Sequence, residues 1–236
     1  EDLARRISNM KNALVTDIVV HVHGNEFRCI DSASLLTVSP FNEREVIELL
    51  TNKLRIDDVF IDVGAHIGKY TIVVARIARK GMVIALEPHS INFKYLMWNV
   101  KANKLKNVKV LNVAAWSEDS QVKLFIGRSS ETHSLIGNFI HATKSYVWVK
   151  ASKLDTLVKS LNVTKIDWIK IDVEGAELEV LKGAYNTLEK YRPKLIVEVR
   201  RRNFKEFLRL MGLHGYRSVP IINFGTYVYY YAQPVQ

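Results

Sequence analysis

The chain has 236 residues, 48% of them hydrophobic, and its 34 Lys and Arg against 24 Asp and Glu give a net charge of +10. That is the composition of one folded domain with a full core, and it excludes a disordered or low-complexity chain. No apolar run approaches ~18 residues, so no membrane span is expected. Cys29 is the single cysteine and permits neither an internal disulfide nor a zinc cluster, which fits a reducing, cytoplasmic setting with no metal. Nothing near Cys29 would activate its thiol, so it reads as a small strand residue. No secretory leader opens the sequence, although Glu1 stands where an initiator methionine would and a removed leader stays open.

Residues 1–55 read as an accessory segment: a first helix, a hairpin from 18–22 and 27–30 turning at His23-Gly24-Asn25-Glu26, and helical spacing over 43–54. From 56 to 236 strands and helices alternate. Strands are expected near 59–63, 82–87, 108–114, 166–171 and 194–199, and helices near 67–79, 90–102, 175–190 and 203–212. That alternation implies right-handed crossovers and a parallel α/β sheet. Within 175–190, Leu178, Leu181, Tyr185 and Leu188 form one apolar stripe, read as core. Two added strands, 122–126 and 146–150, are joined by the polar stretch 127–145, which carries Ser129, Ser130, Thr132, His133, Ser134 and His141. A polar connection of that length is either functional or mobile, and it is expected to form part of the substrate pocket. The runs 216–222 and 226–231 around Asn223-Phe224-Gly225 read as a terminal antiparallel hairpin, with Tyr227, Tyr229, Tyr230 and Tyr231 as strand packing.

The segment Val59-Phe-Ile-Asp-Val-Gly-Ala-His-Ile-Gly68 carries the most chemistry. A buried-type strand ends in Asp62, and Gly64 and Gly68 then allow a sharp turn into a helix start with unpaired N–H groups. A dinucleotide fingerprint would need glycines where His66 and Lys69 stand, so NAD is disfavoured. A second strand ends at Glu87-Pro88, about twenty residues on, where a carboxylate can accept two ribose hydroxyls. A third runs through Ile169-Lys-Ile-Asp172-Val-Glu174-Gly175.

The spacing Asp62, Gly64, Gly68 resembles the first motif of class I S-adenosylmethionine-dependent methyltransferases. Together with Glu87-Pro88, Leu154-Asp155-Thr156-Leu157, and Ile169 to Glu177 followed by Leu181-Lys-Gly-Ala184, it is similar to the FkbM family over roughly residues 40–232. The resemblance implies a Rossmann-like class I fold, a seven-stranded mostly parallel sheet with a C-terminal antiparallel hairpin and an N-terminal accessory segment. It implies S-adenosylmethionine held by Asp62, Gly64, Ala65, His66, Gly68, Glu87, Pro88, Ala114 and Asp172. It also implies O-methylation of a hydroxyl on a small molecule, sugar or glycan. Asp172 is expected to position cofactor and substrate, and Glu174 or His133 to accept the proton. Duller readings stand beside these: Asp172 or Glu174 capping a helix, His133 and His66 without chemistry, Lys170 as a charge partner of its neighbours, Asp155 as a cap.

Arg200, Arg201 and Arg202 follow a buried-type strand, where ligands of such sheets bind, so an anionic substrate is one reading and a solvated loop the other. The lysines and arginines at 76–80 and 101–109 are expected at the far edge of the sheet. RNA methylation on the basic surface is the runner-up function. An NAD-dependent oxidoreductase is weaker, because Tyr146 and Lys150 fall on a strand and stand roughly 13 Å apart. A noncatalytic cofactor-binding subunit is the remaining alternative.

Overall fold

The computed structural model describes residues 17–137 and 142–235. The expected first helix and His141 lie outside the described residues. The chain opens on a hairpin, β1 (Ile18–Val22) and β2 (Asn25–Cys29), followed by α1 (Ser32–Thr37) and α2 (Arg44–Lys53). The hairpin turn is tighter than expected. Val22 pairs with Asn25, so His23 and Gly24 alone make the turn, both at positive φ. That is the two-residue geometry matched to strand twist.

The alternating part runs β3 (Val59–Val63), α3 (Lys69–Ile77), β4 (Met82–Leu86), α4 (Ser90–Ala102) and β5 (Val108–Leu111). An inserted three-stranded sheet follows, β6 (Ala114–Ala115), β7 (Ser120–Gly127) and β8 (Ala142–Ser152), with β8 central. Then come α5 (Leu154–Ser160), β9 (Trp168–Ile171), α6 (Glu177–Lys182), α7 (Tyr185–Tyr191), β10 (Lys194–Arg200), α8 (Phe204–Leu213), β11 (Tyr216–Asn223) and β12 (Tyr227–Pro234). The main sheet has the order β5-β4-β3-β9-β10-β12-β11, parallel except for β12, which runs against both neighbours. This is the expected class I arrangement. Among the described residues no helix is long and apolar enough to cross a membrane.

Two expected elements differ. The helix over 175–190 is two helices, because Gly183 ends α6 with its Cα against the Trp116 backbone; a Cβ there would lie 1.9 Å from the Trp116 carbonyl oxygen. The break resets the helical phase. Leu181 and Leu188 are buried as expected, but Tyr185 is 57% exposed. The strand expected over 108–114 stops at Leu111, and Ala114–Ala115 leave the main sheet to pair with β8.

The two faces of the sheet are set by period-two alternation. Ile61, Val63, Ile169, Ile171, Leu195 and Val197 share one apolar core. Phe60, Trp168, Ile196, Tyr229 and Tyr231 share the other, covered by Val46 and Leu50 of α2 and Val74 of α3. On this second face the alternation turns polar toward the carboxyl ends of the strands: Asp62, Lys170 and Glu198 are buried there. The candidate site grows from that change.

Candidate active site

Gly64 leaves β3 at φ +78°, and a Cβ on it would lie 1.9 Å from the Asp172 carbonyl oxygen of the neighbouring strand end. Only glycine fits that approach. The amides of Gly64 and Ala65 donate to the Leu86 carbonyl at 3.0 Å, which ties the loop to the end of β4. His66, at φ +51°, and Gly68, at φ +98°, complete the turn into α3.

Glu87 stands at the end of β4 and is 5% exposed. Its Oε2 accepts from the His66 amide at 2.8 Å and its Oε1 from the His89 amide at 2.9 Å. Burial pushes its carboxyl up to about 7 despite those bonds. Each oxygen retains a lone pair for a ligand hydroxyl.

Between these strand ends and the inserted sheet lies a cavity of about 340 Å³, within the range of small-molecule sites. Gly64, Ala65, His66, Glu87, Pro88, Ala114, Asp172, Glu174, His133 and Arg200 all line it. Gly68 and Asp62 do not. Asp62 is fully buried one layer behind the wall, where its Oδ2 accepts from Thr71 Oγ1 at 2.6 Å. That bond holds α3 against β3, while the other carboxylate oxygen, Oδ1, is buried without a hydrogen-bond partner. Arg201 and Arg202 are exposed on a short 3-10 turn, with Arg201 Nη1 donating to the Gly225 carbonyl, so Arg200 alone of the three arginines reaches the cavity. The basic groups Arg76, Arg79, Lys104 and Lys106 line a separate groove at the carboxyl ends of α3 and α4, the far edge of the sheet as expected.

The polar wall is a chain of buried ion pairs. Lys170, 2% exposed, donates to Asp172 Oδ2 at 3.0 Å. Burial raises the Asp172 carboxyl, but the Lys170 ammonium and the Tyr229 hydroxyl outweigh it and hold the carboxyl below the ordinary range. Asp172 is therefore ionised at neutral pH. Arg200 bonds Glu174 and lies 3.3 Å from Glu198, with its guanidinium over the Tyr227 ring. Asp172, Glu174 and Glu198 bring carboxylate oxygens within 4.8 Å of one another. The guanidinium already serves that group as its cation. Burial drives the Glu198 carboxyl well above the ordinary range, followed by repulsion from Asp172.

The inserted loop also reaches the site. Asp31 accepts from Ser130 N and Oγ, both at 2.9 Å, and Ser130 Oγ lies 2.9 Å from His66 Nε2. The serine hydrogen is committed to Asp31, so His66 carries its proton on Nε2. His133 lines the cavity, and its Nδ1 accepts from the Gly127 amide at 3.0 Å, which places its proton on Nε2. Burial lowers both rings to about 4, so both are neutral. This geometry runs against His133 as the proton acceptor.

Sequence reading missed Glu43, Tyr227 and Tyr229. Glu43 caps α2 in a left-handed conformation and lines the cavity, bonded by Lys69 Nζ at 3.1 Å and Tyr70 Oη at 2.7 Å. Tyr229 donates into the same network from β12. The tyrosines do pack in the strand, yet two of them carry polar work as well. Their signal was the placement of residues 227 and 229 on the same alternating face as Glu198 and Asp172. Asp155, by contrast, caps α7 by accepting from Asn186 N and Thr187 N. Cys29 is buried in β2, and burial pushes its thiol up to about 12.

The chain was compared with known proteins. The Methyltransferase FkbM domain matches residues 62–218. The hexuronic acid methyltransferase AglP of Haloferax volcanii is 34% identical over 149 residues, 62% of this chain and 58% of that protein. Methyltransferase 1 of Beauveria bassiana is 26% identical over 147 residues, covering 54% of this chain and 59% of that protein. The chain thus spans somewhat more than half the length of these curated relatives. Among solved structures, TYW2 of M. jannaschii in complex with AdoMet gives a TM-score of 0.52 at 16% identity, covering 93% of this chain and 87% of that one. The precorrin-6y C5,15-methyltransferase of Geobacter metallireducens gives 0.53 at 13% identity, covering 83% and 90%. At such identities the two structures share the fold. With the family match over two thirds of its length, the chain belongs to the FkbM family of class I S-adenosylmethionine-dependent methyltransferases.

Proposed function

We propose that this protein methylates a hydroxyl of a sugar or related small molecule. The observation that carries the reading is Asp172: a carboxylate kept ionised by a buried lysine, on the cavity wall directly against the glycine loop.

The residues fit the cofactor. The Gly64 approach leaves no room for a Cβ beside Asp172, Ala65 and Ala114 present small walls, and Glu87 offers two acceptor oxygens for ribose hydroxyls. S-adenosylmethionine, when bound, supplies an activated methyl group on a sulfonium. The chain's own part is to align an acceptor oxygen with it and to receive the proton that oxygen sheds. Asp172 takes that proton. Glu174 is tied to Arg200 and positions the wall, while His133 donates a hydrogen bond from Nε2. Asp62 acts from behind by tying α3 to β3 through Thr71.

Each cation on the wall is engaged: Lys69 by Glu43, Lys170 by Asp172, Arg200 by Glu174 and Glu198. This favours an acceptor that enters with an uncharged hydroxyl over one recognised through a carboxylate, although AglP is named for a hexuronic acid. Residues 1–55 read as an accessory segment, of which Thr37, Asn42 and Glu43 line the cavity and Asp31 holds Ser130 at its edge. The buried thiol suits a cytoplasmic setting.

The test is labelled-methyl transfer to matched neutral hexosides, hexuronosides and RNA, with thermal stabilisation by S-adenosylhomocysteine against NAD(H) alongside. Label on a hexoside hydroxyl is expected. Salt-sensitive labelling of RNA, or stabilisation by NAD alone, would overturn the reading.

A further inference from the structure

Tyr229 Oη lies 2.7 Å from Glu43 Oε1 and 2.8 Å from Asp172 Oδ2. The hydroxyl has one hydrogen and two carboxylates to serve. With both acids ionised, one of these contacts sets lone pair against lone pair. One added proton on either carboxyl turns both contacts into hydrogen bonds. One proton shared across the bridge therefore satisfies both contacts at once.

We propose that Glu43 and Asp172 form one proton-accepting dyad bridged by Tyr229, so that Glu43 and Tyr229 are positioning residues for Asp172. This rests on the methyl-transfer reading above only for its catalytic consequence. As the acceptor oxygen bonds to the methyl carbon and the sulfonium carbon–sulfur bond breaks, the acceptor's O–H proton passes to the Asp172 carboxyl. Asp172 then donates to Tyr229 Oη, and Tyr229 donates to Glu43. The proton returns to solvent through the open cavity after product leaves.

The surroundings support a shared proton. Glu43 Oε2 accepts from Lys69 and Tyr70 on α3, which leaves its Oε1 for Tyr229. Asp172 Oδ2 accepts from Lys170 on β9, whose ammonium also lies over the Tyr70 ring. Asp62 on β3, Glu198 and Arg200 on β10, Tyr227 on β12, His66 on the glycine loop, Glu131 on the inserted loop and Glu177 on α6 also face the pair. Tyr229 itself is fully buried. Glu43 and Tyr229 both lie outside residues 62–218, so the family match does not contain the bridge.

The experiment is a carbon-13 NMR titration of the Asp and Glu side-chain carboxyls in the ligand-free protein, assigned with Glu43→Gln and Asp172→Asn. In the wild type the Glu43 and Asp172 signals should move together through shared midpoints, and Glu43→Gln should displace the Asp172 midpoint by about one pH unit or more. In Tyr229→Phe, which keeps the buried ring, the two should titrate apart. Independent midpoints in the wild type, or coupling that survives Tyr229→Phe, would overturn the dyad. Once an acceptor is identified, Tyr229→Phe should lower kcat roughly ten-fold with KM unchanged. If coupling is present but no hydroxyl is methylated, the methyl-transfer reading fails and the dyad stands.

Discussion

Glu87 gives the sharpest test of the cofactor wall. Its carboxyl is raised from 4.5 to about 7, chiefly by burial. A group raised in the folded state stabilises the fold fully below its unfolded value, and that contribution is lost as pH rises through the folded value. For Glu87 the window is pH 4.5 to 7, and the contribution is about 3 kcal/mol. Glu177, buried and likewise raised to about 7, contributes in the same window, so the wild-type slope alone does not isolate Glu87. The perturbation is Glu87→Gln, which cannot titrate. It also sets an amide N–H against the backbone N–H of His66 or His89, a cost of about 1–3 kcal/mol that does not vary with pH.

Urea unfolding of both proteins from pH 4.5 to 7.5 should therefore give a stability difference that changes by about 3 kcal/mol across the window. Ribose hydroxyls donate to the ionised carboxylate, so S-adenosylhomocysteine binding near pH 6 should release up to one proton from the wild type and none from the variant. Calorimetry in two buffers of different ionisation enthalpy reads that number. A stability difference that is flat with pH, or equal proton release from both proteins, would refute the placement of Glu87 as a buried, ribose-facing acid.

Two further substitutions probe the loop and the scaffold. Gly64→Ala meets both a positive φ, costing about 1–2 kcal/mol, and the Asp172 carbonyl at 1.9 Å, so stability and S-adenosylhomocysteine affinity should both fall; Gly212→Ala, in open space on α8, should instead gain about 0.5–1 kcal/mol. Equal stability of these two variants would show that Gly64 does not need its backbone freedom. Asp155→Ala should lose about 1–2 kcal/mol through the uncapped start of α7 while cofactor affinity holds. Lost affinity at unchanged stability would make Asp155 a functional residue.

The sheet was legible because each buried strand carries its own short-range signature. Val59–Val63 and Met82–Leu86 are apolar runs closed by a glycine or acid turn, and alternation with helices leaves few ways to connect them. The strand ends that line the cavity were legible for the same reason. Gly64, Ala65, Glu87, Pro88 and Asp172 sit at strand ends, and strand ends in a parallel sheet converge on one edge.

What the sequence alone determined, then, is this parallel core and the strand-end edge that lines the cavity, since both follow from local periodicity and turn chemistry. Only the tertiary structure decided the rest. It broke the helix at Gly183 because Trp116, distant in the chain, comes within contact of it. It withdrew Asp62 from the wall by packing α3 over it, and left Arg200 as the arginine that enters the cavity. It brought Glu43 and Tyr229, 186 residues apart, to a 2.7 Å hydrogen bond. Such contacts depend on how covered faces meet, and charge, spacing and periodicity along one segment carry no record of the segment it will face.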